Sequence, residues 1–142
     1  MRLPLSIAAG IALLSTGLAM AKDRMVITSE WGSLTAELAG NAAAKALAQR
    51  LPLTLAMRDH LRQEKTGALP APLPEAARQL DFSVGTLGLW GPDDFVIYYR
   101  SGRVPLPGIV VLGKVTGDVG IFDRPGPISV QLRLATDGAS AP

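Results

Sequence analysis

Two stretches of the chain alternate apolar with polar residues, the period of a half-buried β-strand. In Ser33–Leu38 the residues Leu34, Ala36 and Leu38 share one face, opposite Ser33, Thr35 and Glu37. In Ile128–Leu134 the residues Ile128, Val130, Leu132 and Leu134 face one way, and Ser129, Gln131 and Arg133 the other. Further runs are short, apolar and rich in β-branched or aromatic residues: Arg24–Ser29, Leu53–Met57, Thr86–Trp90, Phe95–Tyr99 and Ile109–Val115. Turn-forming residues bound several of them, so each predicts a strand. Glu30-Trp31-Gly32 parts the first two runs and predicts a hairpin. Gly91-Pro92-Asp93-Asp94 marks a turn between two later strands.

One segment reads as a helix. Asn41, after Gly40, can cap free amides of a first turn. The AAAKALAQR that follows consists of strong helix formers. Leu47 and Leu51 stand four apart and predict a common face toward the core. Pro52 disfavours helical geometry at Leu51 and ends the helix there. Asp59 to Ala77 reads as loop, because Pro70, Pro72 and Pro74 cannot donate to a sheet. Only Thr66–Leu69 within it is short and apolar enough to pair. Seven or eight short strands and one helix in 142 residues predict one mainly β domain, a closed or nearly closed barrel.

Charge and composition narrow the functions. Fourteen Lys and Arg are interspersed with 12 Asp and Glu, with no basic stripe, so nucleic acid is not an expected partner. There is no cysteine, hence no disulfide, no thiolate chemistry and no lipidated cysteine. The first 21 residues place Arg2 before an uncharged apolar run, Leu3 to Leu18, and close on Ala19-Met20-Ala21. That is the pattern of a secretory signal peptide cut before Lys22. The expected product is a periplasmic or secreted domain over residues 22–134, with a fraying tail over 135–142 and no membrane contact after cleavage. The alternative is a leader retained as an anchor.

The segment LPLTL at Leu51–Leu55, then Glu64-Lys65, then Leu69-Pro70-x-Pro72-Leu73, resembles the small bacterial proteins of cyclophilin-like fold. So do Gly85-x-Leu87-Gly88 and Val111-Leu112-Gly113-Lys114-Val115. The likeness spans about residues 24 to 121. It implies a compact cyclophilin-like β-barrel with one or two short helices, and no particular activity. The chain departs from the pattern at Gly91–Asp94, where the family tends to carry a Pro-Trp-Gly-Asn-like turn.

Several constellations bear on chemistry. Prolyl isomerisation needs a cation beside the prolyl nitrogen and an apolar pocket for the ring. Arg58 and Arg62 could supply the cation, and Phe95, Met57 and Trp90 the pocket. The single histidine, His60, has no nucleophile elbow or metal-ligand partner at a recognised spacing. Asp93-Asp94 reads as turn chemistry. Gly108 to Lys114 matches the phosphate-loop pattern G-x-x-x-x-G-K, but Val115 stands where Ser or Thr is required and the interior is strand-like. The candidate site is therefore a groove formed by Arg62, Glu64, Lys65, Trp90 and Tyr98. It would bind a small molecule or an extended peptide without catalysis or cofactor. The alternative is a prolyl-isomerase-like enzyme.

Overall fold

The computed structural model describes residues 23–135. The leader assigned to residues 1–21 and the tail beyond 135 lie outside them. Strands β1 (Arg24–Ser29) and β2 (Gly32–Leu38) form the expected hairpin, with Ser29 opposite Gly32. Helix α1 (Ala42–Arg50) follows. The Asn41 side chain accepts from the amide of Ala44 at 2.9 Å, which fixes the helix start. Its amide group donates to the Val111 carbonyl at 2.8 Å and ties that start to the barrel.

The remaining long strands are β3 (Leu53–His60), β4 (Glu64–Ala68), β7 (Thr86–Trp90), β8 (Asp94–Tyr98), β10 (Ile109–Val115) and β11 (Ile128–Leu134). Three two-residue strands were not foreseen from the sequence: β5 (Arg78–Gln79), β6 (Asp81–Phe82) and β9 (Gly102–Arg103). Eight strands run in the order β2-β1-β11-β3-β4-β8-β7-β10, all antiparallel, and β10 pairs back onto β2 to close the barrel. Met25, Ile27, Leu87, Phe95, Ile97 and Leu112 fill it and are inaccessible to solvent. Helix α1 covers one end with Ala43, Ala44, Leu47 and Ala48 buried. A 3-10 turn, Val119–Phe122, buries Val119 and Phe122 against the same core. No described helix is long and apolar enough to cross a membrane.

One stretch differs from the reading of the sequence. Residues 59–68 are not loop. Strand β3 continues through Asp59 and His60, and β4 is a central strand paired with β3 on one side and β8 on the other. The hairpin between them turns at Leu61 and Arg62, whose φ angles of 55° and 52° are left-handed. Neither residue is a glycine or asparagine, so the usual turn signal was missing. The irregular chain starts only at Leu69. There the amides of Leu69 and Leu73 donate to the carbonyls of Asp93 and Pro92 and pin the proline-rich segment to the β7–β8 turn.

The G-x-x-x-x-G-K match is strand β10. Gly113 lies at a shift of register between β10 and β7, and it also pairs with Leu38 of β2. A Cβ there would overlap the Glu37 carbonyl oxygen. The glycine lets two backbones approach where the barrel closes. Replacing Gly113 by alanine should destabilise the fold by about 2–3 kcal/mol through overpacking at this seam. Urea denaturation checks this, and an alanine at solvent-facing Gly40, where nothing lies within 4 Å, serves as the neutral control.

Candidate functional site

The alternation of β4 decides which side chains meet. Lys65 points into the barrel, and Glu64 and Thr66 point out. The same holds for β3, where Leu55, Met57 and Asp59 face in and Arg58 and His60 face out. Tyr98 and Tyr99 also divide. Tyr99 belongs to the barrel core and Tyr98 to a second, outer cluster with Phe82, Val96 and Ile109. The five residues named from the sequence therefore sit on two sides of one barrel wall.

On the inner side, Lys65 is wholly buried. Its ammonium donates to Asp59 Oδ1 at 2.9 Å, to the Arg124 carbonyl at 2.5 Å and to the Gly126 carbonyl at 3.0 Å. All three of its donors are used. The Trp31 ring lies 5.1 Å from the ammonium and the Tyr99 ring 5.9 Å, adding cation–π attraction. The Tyr99 hydroxyl donates to Asp59 Oδ1 at 2.5 Å. Arg62 bonds the Tyr99 hydroxyl at 3.1 Å and pairs with Asp123 at 2.9 Å. Burial pushes the Asp59 carboxyl up, but the Tyr99 and Lys65 hydrogen bonds and the Lys65 and Arg62 charges outweigh it, so its pKa is lowered. Burial, then the bond to Asp59, raises that of Tyr99. Lys65 has no donor left over, and the cluster holds the β11 approach, Arg124 to Gly126, onto the barrel mouth.

On the outer side lies a groove of about 440 Å³. Its open apolar surface comes from Trp90, Val104 and Pro105, over a base formed by the nearly inaccessible Val96 and Tyr98. Polar groups come from Glu64 and Thr66 on β4, Arg58 and His60 on β3, Asp94 on β8 and Arg103 on β9. The short β6–β9 ribbon builds one wall. Phe82 stacks on Tyr98 with ring centroids 3.9 Å apart, and Gly102 leaves the room that Phe82 occupies. Of the sequence-named residues, Glu64, Trp90 and Tyr98 line this groove, while Arg62 and Lys65 do not. Phe95 and Met57, named for a proline pocket, are buried in the barrel core and cannot reach it. Arg58 and Trp90 do reach it.

Glu64 is 6% exposed. Burial raises its pKa, opposed by a hydrogen bond from Gln63, the His60 charge and the Tyr98 hydroxyl. Burial and the Glu64 charge raise that of Tyr98. Gln63 Nε2 donates to Glu64 Oε1 at 2.7 Å. Sequence reading missed Arg58 and His60 as groove residues because the end of β3 was read as loop. Period two from Leu55 and Met57 would have placed both on the outer face. Among the described residues no three His, Asp or Glu come together as a metal cluster.

The comparisons agree with this architecture. The model of the Cyclophilin-like family matches residues 27–133, so the chain belongs to that family. The solution structure of a hypothetical protein from Archaeoglobus fulgidus superimposes with a TM-score of 0.63 at 17% identity, over 81% of this chain and 96% of that one. That likeness shows the fold alone. No curated protein matches the chain.

The inner cluster yields a stability prediction. Lys65→Met should cost about 3 kcal/mol, because it takes the nearest cation from the largely buried Asp59 and leaves the Arg124 and Gly126 carbonyls without their donor. Arg62→Ala, at a side chain 44% exposed, should cost under about 1 kcal/mol. Asp59 has a folded pKa below its unfolded one, so its contribution is present above the unfolded value and is lost as pH falls through the folded one. Urea midpoints between pH 7 and pH 2 should therefore fall less steeply for Asp59→Asn than for the parent.

Proposed function

We propose that this cyclophilin-like barrel is an exported, non-catalytic binding module that holds a small molecule or an extended peptide in the outer groove. The observation that carries the reading is the groove itself. It has the volume of a small-ligand site and an apolar floor with a few convergent polar groups. Its surroundings fit an apolar guest. Leu61 lines the groove and is 74% exposed, and Leu106, next to lining residue Pro105, is 81% exposed. Two exposed leucines on separate loops beside one groove form a surface that binding would cover. Leu61 is held outward by a left-handed turn, a strained conformation of the kind found at ligand sites.

The isomerase alternative has less support. Of the side chains it called on, Phe95 and Met57 are in the core and Arg62 is tied to Asp59, Tyr99 and Asp123. Arg58 and Trp90 alone remain. Export rests on the leader pattern of residues 1–21.

Two outcomes are expected. Titration of short apolar peptides should quench Trp90 fluorescence and raise the melting temperature. Trp90→Ala should lower affinity at least about tenfold while the fold is kept, as expected for a central aromatic anchor. A proline-limited refolding substrate should show no acceleration. Acceleration that vanishes in Arg58→Ala would make the protein an enzyme instead. For export, N-terminal sequencing of protein recovered from the periplasm or medium should begin at Lys22, and a chain that keeps Met1 in the membrane fraction would overturn it.

A further inference from the structure

Glu64 is an anomaly in the groove. It is a carboxyl nine-tenths buried, and among the described residues no lysine or arginine bonds it. A buried carboxylate ordinarily has a cationic partner, since the desolvation cost is otherwise unmet. Asp59, five residues earlier on the inner face, has one in Lys65 at 2.9 Å. Glu64 receives the neutral Gln63 amide at Oε1 and faces the Tyr98 hydroxyl, and the nearest positive group on its face is the exposed His60, which makes no hydrogen bond to it. A carboxylate can accept about four hydrogen bonds, so it retains acceptor capacity toward the groove.

The positions of the other charges leave that capacity to a guest. Arg58 and Arg103 line the groove but are solvent-exposed, and Arg103 is paired with Asp81 at 3.0 Å. Asp94 lies on the rim and adds negative charge. His60 is exposed and pairs across the ladder with Glu64, so it shares that face. Trp90 supplies ring surface beside the carboxyl, and aromatic faces attract cations as well as apolar stems, while Tyr98 lies beneath with its ring covered by Phe82.

We infer that the groove selects a ligand bearing a primary ammonium on an apolar or aromatic stem, with the ammonium seated on Glu64 and the stem against Trp90. This rests on the binding reading above and names the chemistry that the same groove takes. The guest's ammonium does on the outer face what Lys65 does on the inner one. A ligand cation favours the ionised carboxyl, so binding is strong above the Glu64 pKa and is lost as pH falls through it. Burial lifts that value, so the loss begins at a higher pH than for an exposed glutamate.

The test is an NMR titration of the full chain with phenethylammonium, followed at the two indole N–H signals. Trp90 lines the groove, and Trp31 lies on the inner cluster as an internal reference. The expected result is a saturable shift of Trp90 alone, at least about tenfold weaker in Glu64→Gln and weaker at pH 4 than at pH 7.5. In His60→Asn the pH dependence should persist. Phenylpropanamide and phenylpropanoate are the neutral and anionic controls. Equal binding of the neutral probe, or unchanged phenethylammonium binding in Glu64→Gln, overturns the ammonium assignment and leaves the groove as a binding site. Preference for phenylpropanoate, lost in Arg58→Ala, overturns it in favour of an anion anchored by Arg58. No shift of Trp90 with any probe, or with the peptides above, overturns both readings.

Discussion

The buried ammonium of Lys65 is the constraint on which the arrangement of this barrel wall depends. A lysine removed from water must find acceptors for all its donors. Here they come from Asp59 on β3 and from the carbonyls of Arg124 and Gly126 before β11. Those bonds hold the phase of β4, and a strand whose phase is held has no freedom to slip by one residue. With Lys65 inside, Glu64 and Thr66 must be outside. The groove is thus a consequence of a structural ion pair on the opposite side of the same wall.

The outer face would still be a flat surface without a second element. The β6–β9 ribbon provides it, packing Phe82 on Tyr98 and carrying Arg103, Val104 and Pro105 to the edge of the groove. The amide of Val104 donates to the Leu80 carbonyl at 2.8 Å, which fixes that edge. A small second core outside the barrel therefore does two things. It buries Tyr98, Val96 and Ile109, which would otherwise be apolar side chains on a solvent face, and it leaves a recess where its cover stops.

Much of the barrel was legible because its strands carry either period-two patterns or compact β-branched runs. Ser33–Leu38 and Ile128–Leu134 needed no tertiary information, and Asn41 marked the helix start through a capping bond that forms as expected. The site was legible only in part. Glu64, Trp90 and Tyr98 were named for one groove and do line one, yet Arg62 and Lys65 were named with them. The reason is specific. Asp59–Ala68 holds charged and polar residues at inward positions, so the hydrophobic alternation that marks a strand is broken where the ion pair replaces apolar contacts. A left-handed turn at Leu61-Arg62, without glycine or asparagine, hid the hairpin as well. Once the strands are known, parity assigns every one of these residues to its face.

The contrast between the two carboxyls then bears on function. Asp59 and Glu64 stand close in sequence, on adjacent strands, and on opposite faces of one wall. Both lose solvent on folding. One is surrounded by a lysine, an arginine and a tyrosine hydroxyl, and its acid form is disfavoured; the other has no lysine or arginine beside it, burial outweighs Gln63, His60 and Tyr98, and its acid form is favoured. A fold selected only for stability gains nothing from burying a carboxyl without a counter-charge, and a glutamine of the same shape would meet Gln63 and Tyr98 without that cost. Glu64 opposes folding as pH rises through its raised value, the opposite sign to Asp59. Stability accounts for Asp59. It does not account for Glu64, whose position in a groove beside Trp90 leaves an incoming cation as the group that would complete it.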